Sequence, residues 1–396
     1  MPIRRALAVL HRWIGLASGA IVFVVALTGA VYVWEGELFA LTHRDLVYVD
    51  AGSVPLAPSV LLAAARGALP TDRPVERLTI FADERRAAIA SAQRTDAGAR
   101  TYFRELRYFD EVYLDPGSAQ VLGVVDRKFE WLHLTRALHT SLLLSTPGSW
   151  IVGGATLVFV AMVLTGLILW WPRNRAVLAV RLRPRHTASW KRAVFDGHNV
   201  LGFYGLAGLL VLALTGPVWT WRWYTNAIAW TLTGEARLVA QPVPRPPPLP
   251  ACTAAADPLE RALRETRRRV PDATRYTMEL PPDSSRVLTV GAVFDRSSLW
   301  EEYERYYYHP ASGALLGDER FEEKNLAMKW RNSNYGIHTG TLLGWPMQLV
   351  ASTISLLAAT LPVTGALIWY PRWRRGRRRA AAVRREGAGM AEVGLE

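Results

Sequence analysis

The sequence predicts an integral membrane protein with an all-α four-helix core, built from a duplicated two-helix unit, and two small α+β modules standing outside the bilayer. Four long uncharged stretches, a repeated pattern of histidine-led helices and a lopsided placement of basic residues lead to that class. The mean hydropathy of +0.08 hides the membrane, because apolar and polar segments average out over the 396 residues.

The first stretch, 13–34, contains no Lys, Arg, Asp or Glu, and neither do 150–171, 201–221 and 349–370. At about 1.5 Å per residue each is long enough for the roughly 30 Å hydrocarbon core. Tryptophans and tyrosines gather at their ends, where interface anchors belong. The first stretch continues through bulky Trp34 to Glu35 and Glu37, so it is read as a retained span rather than a cleaved signal peptide.

The four stretches repeat. His11, Thr28-Gly29 and Trp34 match His198, Thr215-Gly216 and Trp221 at an offset of 187. His139, Pro147, Thr165-Gly166 and Pro172 match His338, Pro346, Thr364-Gly365 and Pro371 at an offset of 199. A whole two-helix unit is therefore expected twice.

Charge sets the expected orientation. The residues before the first stretch, the loop between the second and third, and the tail after Pro371 hold 18 of the 47 basic residues and only four of the 34 acidic ones. Their net charge is +14 within a chain of +13, which places both termini and the middle loop in the cytoplasm and the two large polar segments outside. The basic excess is thus a topology signal. Without aromatic residues interleaved among the arginines it does not describe a nucleic-acid surface. A single cysteine, Cys252, excludes an internal disulfide and a cysteine-held cluster.

The outside segments carry matching patterns. Helix-like 57–66 precedes strand-like 77–82, 87–91 and 106–114, and helix-like 258–269 precedes strand-like 275–280, 286–294 and 303–309. Each set ends in a Pro-x-Ser turn followed by Leu-Gly, at 116–123 and 310–317. The proline-rich stretch 242–250 reads as a stiff spacer. The expected organisation is a first transmembrane helix (1–36), first module (37–130), outer lead-in and second helix (131–172), basic loop (173–196), third helix (197–223), spacer and second module (224–325), lead-in and fourth helix (326–371) and basic tail (372–396).

The histidine-led helices, the Thr-Gly-x-x-x-Trp-Trp-Pro-Arg run from Thr165 with its echo from Thr364, and the Asp-Pro-Gly-Ser-x-x-x-Leu-Gly turn from Asp115 resemble the PepSY-associated transmembrane helix family. Within it the chain is most similar to bacterial inner-membrane proteins of iron uptake that reduce ferric siderophores. The resemblance implies a multi-pass, haem-binding membrane oxidoreductase, a ferric-chelate reductase, with periplasmic PepSY-like modules.

Under that resemblance the paired histidines become candidate ligands of two b-type haems. His11 and His198 stand just inside the cytoplasmic ends of outward-running helices and suit an inner haem. His139 and His338 precede the returning helices and suit an outer one, each expected on a short helical lead-in whose proline bends or interrupts the path into the membrane. Hydrogen bonding of these histidines to helix-terminal carbonyls is the competing reading. His133 has no matched histidine, since its offset-199 counterpart is Asn332, and stands as an alternative outer ligand. Arg12, Arg136 and Arg331 are candidate partners of haem propionates, because a guanidinium meets a carboxylate through two bonds; lipid anchoring competes for Arg12.

No nucleotide-binding fingerprint accompanies these sites, so the donor is expected to be a membrane quinol or a separate cytoplasmic reductase. The acceptor implied is a ferric siderophore or another periplasmic electron acceptor. The lipid bilayer is the remaining partner, and nucleic acid is not one. A non-enzymatic PepSY membrane regulator or assembly factor, which needs no electron transfer, is the alternative from another class.

Overall fold

The computed structural model describes residues 2–52, 54–172, 174, 177–183, 189–235, 238, 242–248, 257–283, 285–296 and 299–393. Cys252, His186, Arg173 and the last residues of the proline-rich stretch lie outside the described residues. The chain divides into a helical unit (1–30, 151–217 and 351–396) and a sheet unit (31–150 and 218–350).

In chain order the first elements are α1 (Pro2–Tyr32), α2 (Glu35–Thr42), α3 (Arg44–Val47), α4 (Pro58–Ala68), β1 (Arg77–Phe81), β2 (Ala88–Thr95), α5 (Tyr102–Glu105), β3 (Leu106–Leu114) and β4 (Val121–Asp126). Then come α6 (Trp131–Ser141), α7 (Ser145–Trp170), α8 (Leu178–Arg181), α9 (Trp190–Tyr204), α10 (Leu206–Thr215) and α11 (Arg222–Thr233). The last are α12 (Pro258–Arg269), β5 (Arg275–Glu279), β6 (Leu288–Val293), β7 (Tyr303–Tyr308), β8 (Leu315–Glu319), α13 (Leu326–Thr339) and α14 (Trp345–Val393).

These elements correct the expected all-α four-helix core with two separate modules. Among the described residues three helices, α1, α7 and α14, contain an uninterrupted stretch long and apolar enough to cross a membrane. The third apolar stretch is instead a pair, α9 followed by the segment Leu206–Trp219, bent by 66°. Composition registers only apolarity there; the break follows from packing. A Cβ at Gly205 would stand 2.2 Å from Leu357 Cδ2, so glycine lets the chain pass α14 closely where the helix changes direction. Pro217, lacking an N–H, then falls in the 3-10 turn that ends the segment.

Among the described residues the strands form one antiparallel eight-stranded sheet in the order β4-β3-β2-β1-β5-β6-β7-β8. Strands β4 and β8, unforeseen in the sequence, start within the two Leu-Gly signals. Each half alone would leave β1 or β5 as an open edge with unpaired backbone groups, and the halves satisfy both edges by pairing them. Thr79 lies opposite Thr277 at the middle of that seam, and their hydroxyls are 3.4 Å apart. The duplication persists in the register, which shifts between Tyr113 and Leu114 in β3 and between Tyr307 and Tyr308 in β7.

Helices α4 and α12 cover one face of this sheet. Leu61, Leu62, Leu78, Met278, Leu288 and Tyr308 are fully buried there, and each aliphatic side chain contributes about 1.5–3 kcal/mol relative to exposure. Asp257 caps α12 by accepting from Glu260 N–H at 2.9 Å and also accepts a hydrogen bond from the Ser59 hydroxyl at 2.5 Å, linking the starts of the two helices. Buried Arg127 joins α2, β3 and α6 through Glu35 (2.6 Å), Glu111 (3.5 Å) and Glu130 (3.2 Å). Glu130 also caps α6, accepting from the Leu132 and His133 N–H groups.

Within the helical unit, Ala26, Val163, Leu209, Ala358 and Ala359 form a small-residue core. Ser352 and Ser355 of α14 donate to the Ala30 and Ala26 carbonyls of α1 at 2.9 and 2.8 Å. Such interhelical bonds contribute about 0.6 kcal/mol each in a bilayer, so they fix register more than they supply stability. Phe23, Leu27, Ile168, Val211 and Leu367 stay exposed on the outside, as lipid-facing side chains do.

Candidate functional site

His11 on α1 and His198 on α9 line the same cavity, of about 470 Å³, in the helical unit. Gly15, Gly19 and Gly202 share its wall, as does Arg12. The Arg12 guanidinium carbon lies 5.7 Å from the Trp13 ring centre. Gly205 and Gly208 serve packing instead: a Cβ at either would run into Leu357 or Ile354.

Two contacts hold the imidazoles, and sequence reasoning missed both. His11 Nδ1 is 2.9 Å from Thr165 Oγ1 of α7, and His198 Nδ1 is 2.8 Å from Thr364 Oγ1 of α14. The adjacent glycines make room for the rings: a Cβ on Gly166 would lie 3.3 Å from His11 Cε1, and one on Gly365 would lie 3.7 Å from His198 Cε1. The available signal was the repeated Thr-Gly itself. At Thr28 the hydroxyl serves its own helix, donating to the Val24 and Val25 carbonyls.

The second histidine pair belongs to the sheet unit. His139 on α6 and His338 on α13 have ring centres 6.1 Å apart at an interplanar angle of 55°. Tyr32 stacks on His139 at 6.4 Å, and Trp219 meets His338 edge-on at 5.5 Å. The lead-in helices carrying these rings are separate elements. Left-handed residues break the chain after each, Leu142 (φ 50°) and Leu143 (φ 60°) after α6 and Gly340 (φ 80°) after α13. Pro147 and Pro346 sit just after those breaks, in the first turns of α7 and α14, where a missing N–H costs nothing.

Arg136 lies one turn before His139, and Arg331 two turns before His338. Arg331 is half-buried, and burial lowers its pKa. Among the described residues neither guanidinium meets a carboxylate within salt-bridge distance.

His133 points elsewhere. It is buried between Tyr102 (6.0 Å) and Phe109 (5.3 Å), against the sheet. Burial, with help from the charges of Arg136 and Arg127, pushes its pKa down to about 4. Of the other histidines, His43 stacks on Phe39 at 4.4 Å. His309 ties down the proline-rich stretch, donating from Nε2 to the Pro247 carbonyl at 2.9 Å while its Nδ1 accepts from Ala311 N–H at 3.1 Å.

The acidic and aromatic run of β7 and β8 is largely committed to the interior. Glu304 accepts from the Tyr306 hydroxyl at 2.5 Å, Tyr308 bonds Thr266 at 2.7 Å, and Glu319 pairs with Lys324 at 3.1 Å. Glu301 is different: burial raises its carboxyl pKa, and the Gly336 N–H, two residues from His338, partly offsets that shift by donating to it.

Apolar helices of membrane-crossing length, joined in one chain to a helix-backed antiparallel sheet, define a membrane protein with a large sheet unit. The family model for the PepSY-associated TM region matches residues 8–372, and the chain belongs to that family. No curated protein matches it.

Proposed function

We propose that the protein is a haem-containing oxidoreductase of the bacterial inner membrane that reduces ferric siderophore on the periplasmic side to release ferrous iron. The observation that carries this reading is the pairing of the four repeated histidines, two on one cavity and two with ring centres 6.1 Å apart.

Both places fit a b-type haem. The cavity of about 470 Å³ falls in the size class of cofactor sites, roughly 300–1,000 Å³. Its glycines leave the wall open, Arg12 offers a propionate partner, and neutral imidazoles are the donors that haem iron takes. At the second pair, His139 and His338, with ring centres 6.1 Å apart, would be the residues to hold the iron of a haem. Arg136 and Arg331, which meet no carboxylate among the described residues, suit propionates there. A bound b-type haem supplies one-electron redox chemistry at its iron.

The basic flanks support cytoplasmic termini and a periplasmic sheet unit, with the His11–His198 site toward the cytoplasm. One electron per iron comes from a membrane quinol or a separate reductase. The ferric chelate gains it, and its hard oxygen ligands hold the resulting Fe(II) less firmly. Vesicles that enclose an electron donor and meet an impermeant ferric chelate on the sheet-unit face test the direction. Sustained chelate reduction that is lost in His139→Ala and His338→Ala is expected. Reduction of acceptors only on the opposite face, with haem intact, would show the direction to be wrong.

A further inference from the structure

Each cavity histidine is held by a threonine that has only one proton to give. Thr165 Oγ1 lies 2.8 Å from the Ala161 carbonyl and 3.1 Å from that of Met162. Thr364 Oγ1 lies 2.8 Å from the Thr360 carbonyl and 3.1 Å from that of Leu361. A carbonyl only accepts, so either helix carbonyl can take that hydroxyl proton. A hydroxyl so engaged can only accept from the imidazole, and the contact of 2.9 or 2.8 Å then calls for a proton on Nδ1 of His11 and of His198. Nε2 is left with its lone pair on both rings.

We propose that Thr165 and Thr364 are positioning residues: they lock His11 and His198 in the Nδ1–H tautomer and strengthen the Nε2 lone pair that each ring offers to iron. The inference rests on the haem reading above but adds the tautomer and its control. The Nδ1–H bond fixes ring orientation and makes the imidazole a better donor, as outer-shell partners of ligating histidines do. A better donor favours the ferric state, so these threonines hold the potential of the site down. The two holders lie on α7 and α14, helices that carry neither cavity histidine. Each imidazole therefore joins two helices, and the Thr-Gly repeat at 165 and 364 gains a role that the pair at 28 lacks.

The full-length protein is tested as wild type, Thr165→Val, Thr165→Ser, Thr364→Val and Thr364→Ser, with two readouts. Without haem, imidazole ¹⁵N shifts should report Nδ1–H at His11 and His198 in the wild type and in both serine variants. Mixed tautomers are expected in the valine variants. With haem, each valine variant should retain the cofactor of this site about 10–100-fold less tightly and raise its midpoint potential, with serine restoring both. Nε2–H tautomers in the wild type, or valine variants with wild-type affinity and potential, would overturn the proposal. A wild type that binds no haem sinks the haem reading and the potential-setting half of this proposal; the ¹⁵N shifts still decide the tautomer half.

Discussion

A hydroxyl and a hydrogen atom decide how each cavity imidazole stands. The hydroxyl of Thr165 or Thr364 meets Nδ1, and the missing side chain of the next residue leaves space for Cε1. The two glycines are not equally tight, which separates their substitutions. A methyl group on Gly166 would lie 3.3 Å from His11 Cε1, inside ordinary contact, whereas one on Gly365 would lie at 3.7 Å from His198 Cε1. Gly166→Ala is therefore expected to displace the His11 ring and cost about 1 kcal/mol or more by overpacking, while Gly365→Ala stays close to wild type. Thermal midpoints and haem content measured side by side check this; equal effects of the two substitutions would refute the steric ordering. The histidines themselves are legible from the sequence because they repeat at fixed offsets. Their threonine partners are not, because each contact joins residues more than 150 positions apart, on different helices.

Helix α6 presents two histidines on different faces, and only one of them meets another histidine. Six residues of helix turn His133 about 120° away from His139, so His133 packs against the sheet while His139 faces His338. The consequence is a pH dependence of stability. The pKa of His133 is depressed from 6.5 to about 4, so between those values the unfolded chain binds a proton that the folded chain does not. Stability is therefore expected to rise with pH from about 4 to 6.5, by up to ~3 kcal/mol from this residue. His133→Phe should flatten that part of the profile in denaturant titrations, and an unchanged slope would contradict the assignment. The lead-in helices also show where pattern reading stops. The sequence locates each histidine before a proline, but left-handed Leu142 and Leu143 carry no glycine signal, so the break between α6 and α7 is invisible until the backbone is seen.

At the scale of the molecule, alternation along a strand tells which side chains share a face but not which edge meets which. The strands β1–β3 and β5–β7 are therefore legible, and their union into one sheet through Thr79 and Thr277 is not. Strands β4 and β8 escape for a related reason: they are short, polar in part and interrupted by Gly123 and Gly317. The bend at Gly205 lies inside an unbroken apolar stretch, where hydropathy has no sensitivity to direction. What the duplication does convey is that both halves carry the same histidines, and the structure gathers them as two pairs.

Haem at those pairs is the central claim, and a reduced-minus-oxidised optical spectrum tests it most directly. The full-length protein, expressed with ample haem and shown to be folded, should carry two b-type haems per chain. His11→Ala and His198→Ala should remove the same half of the bands, and His139→Ala and His338→Ala the other half. A folded wild-type protein without b-type bands would contradict the claim outright, and unchanged haem content in any one folded histidine variant would contradict the assignment of that residue.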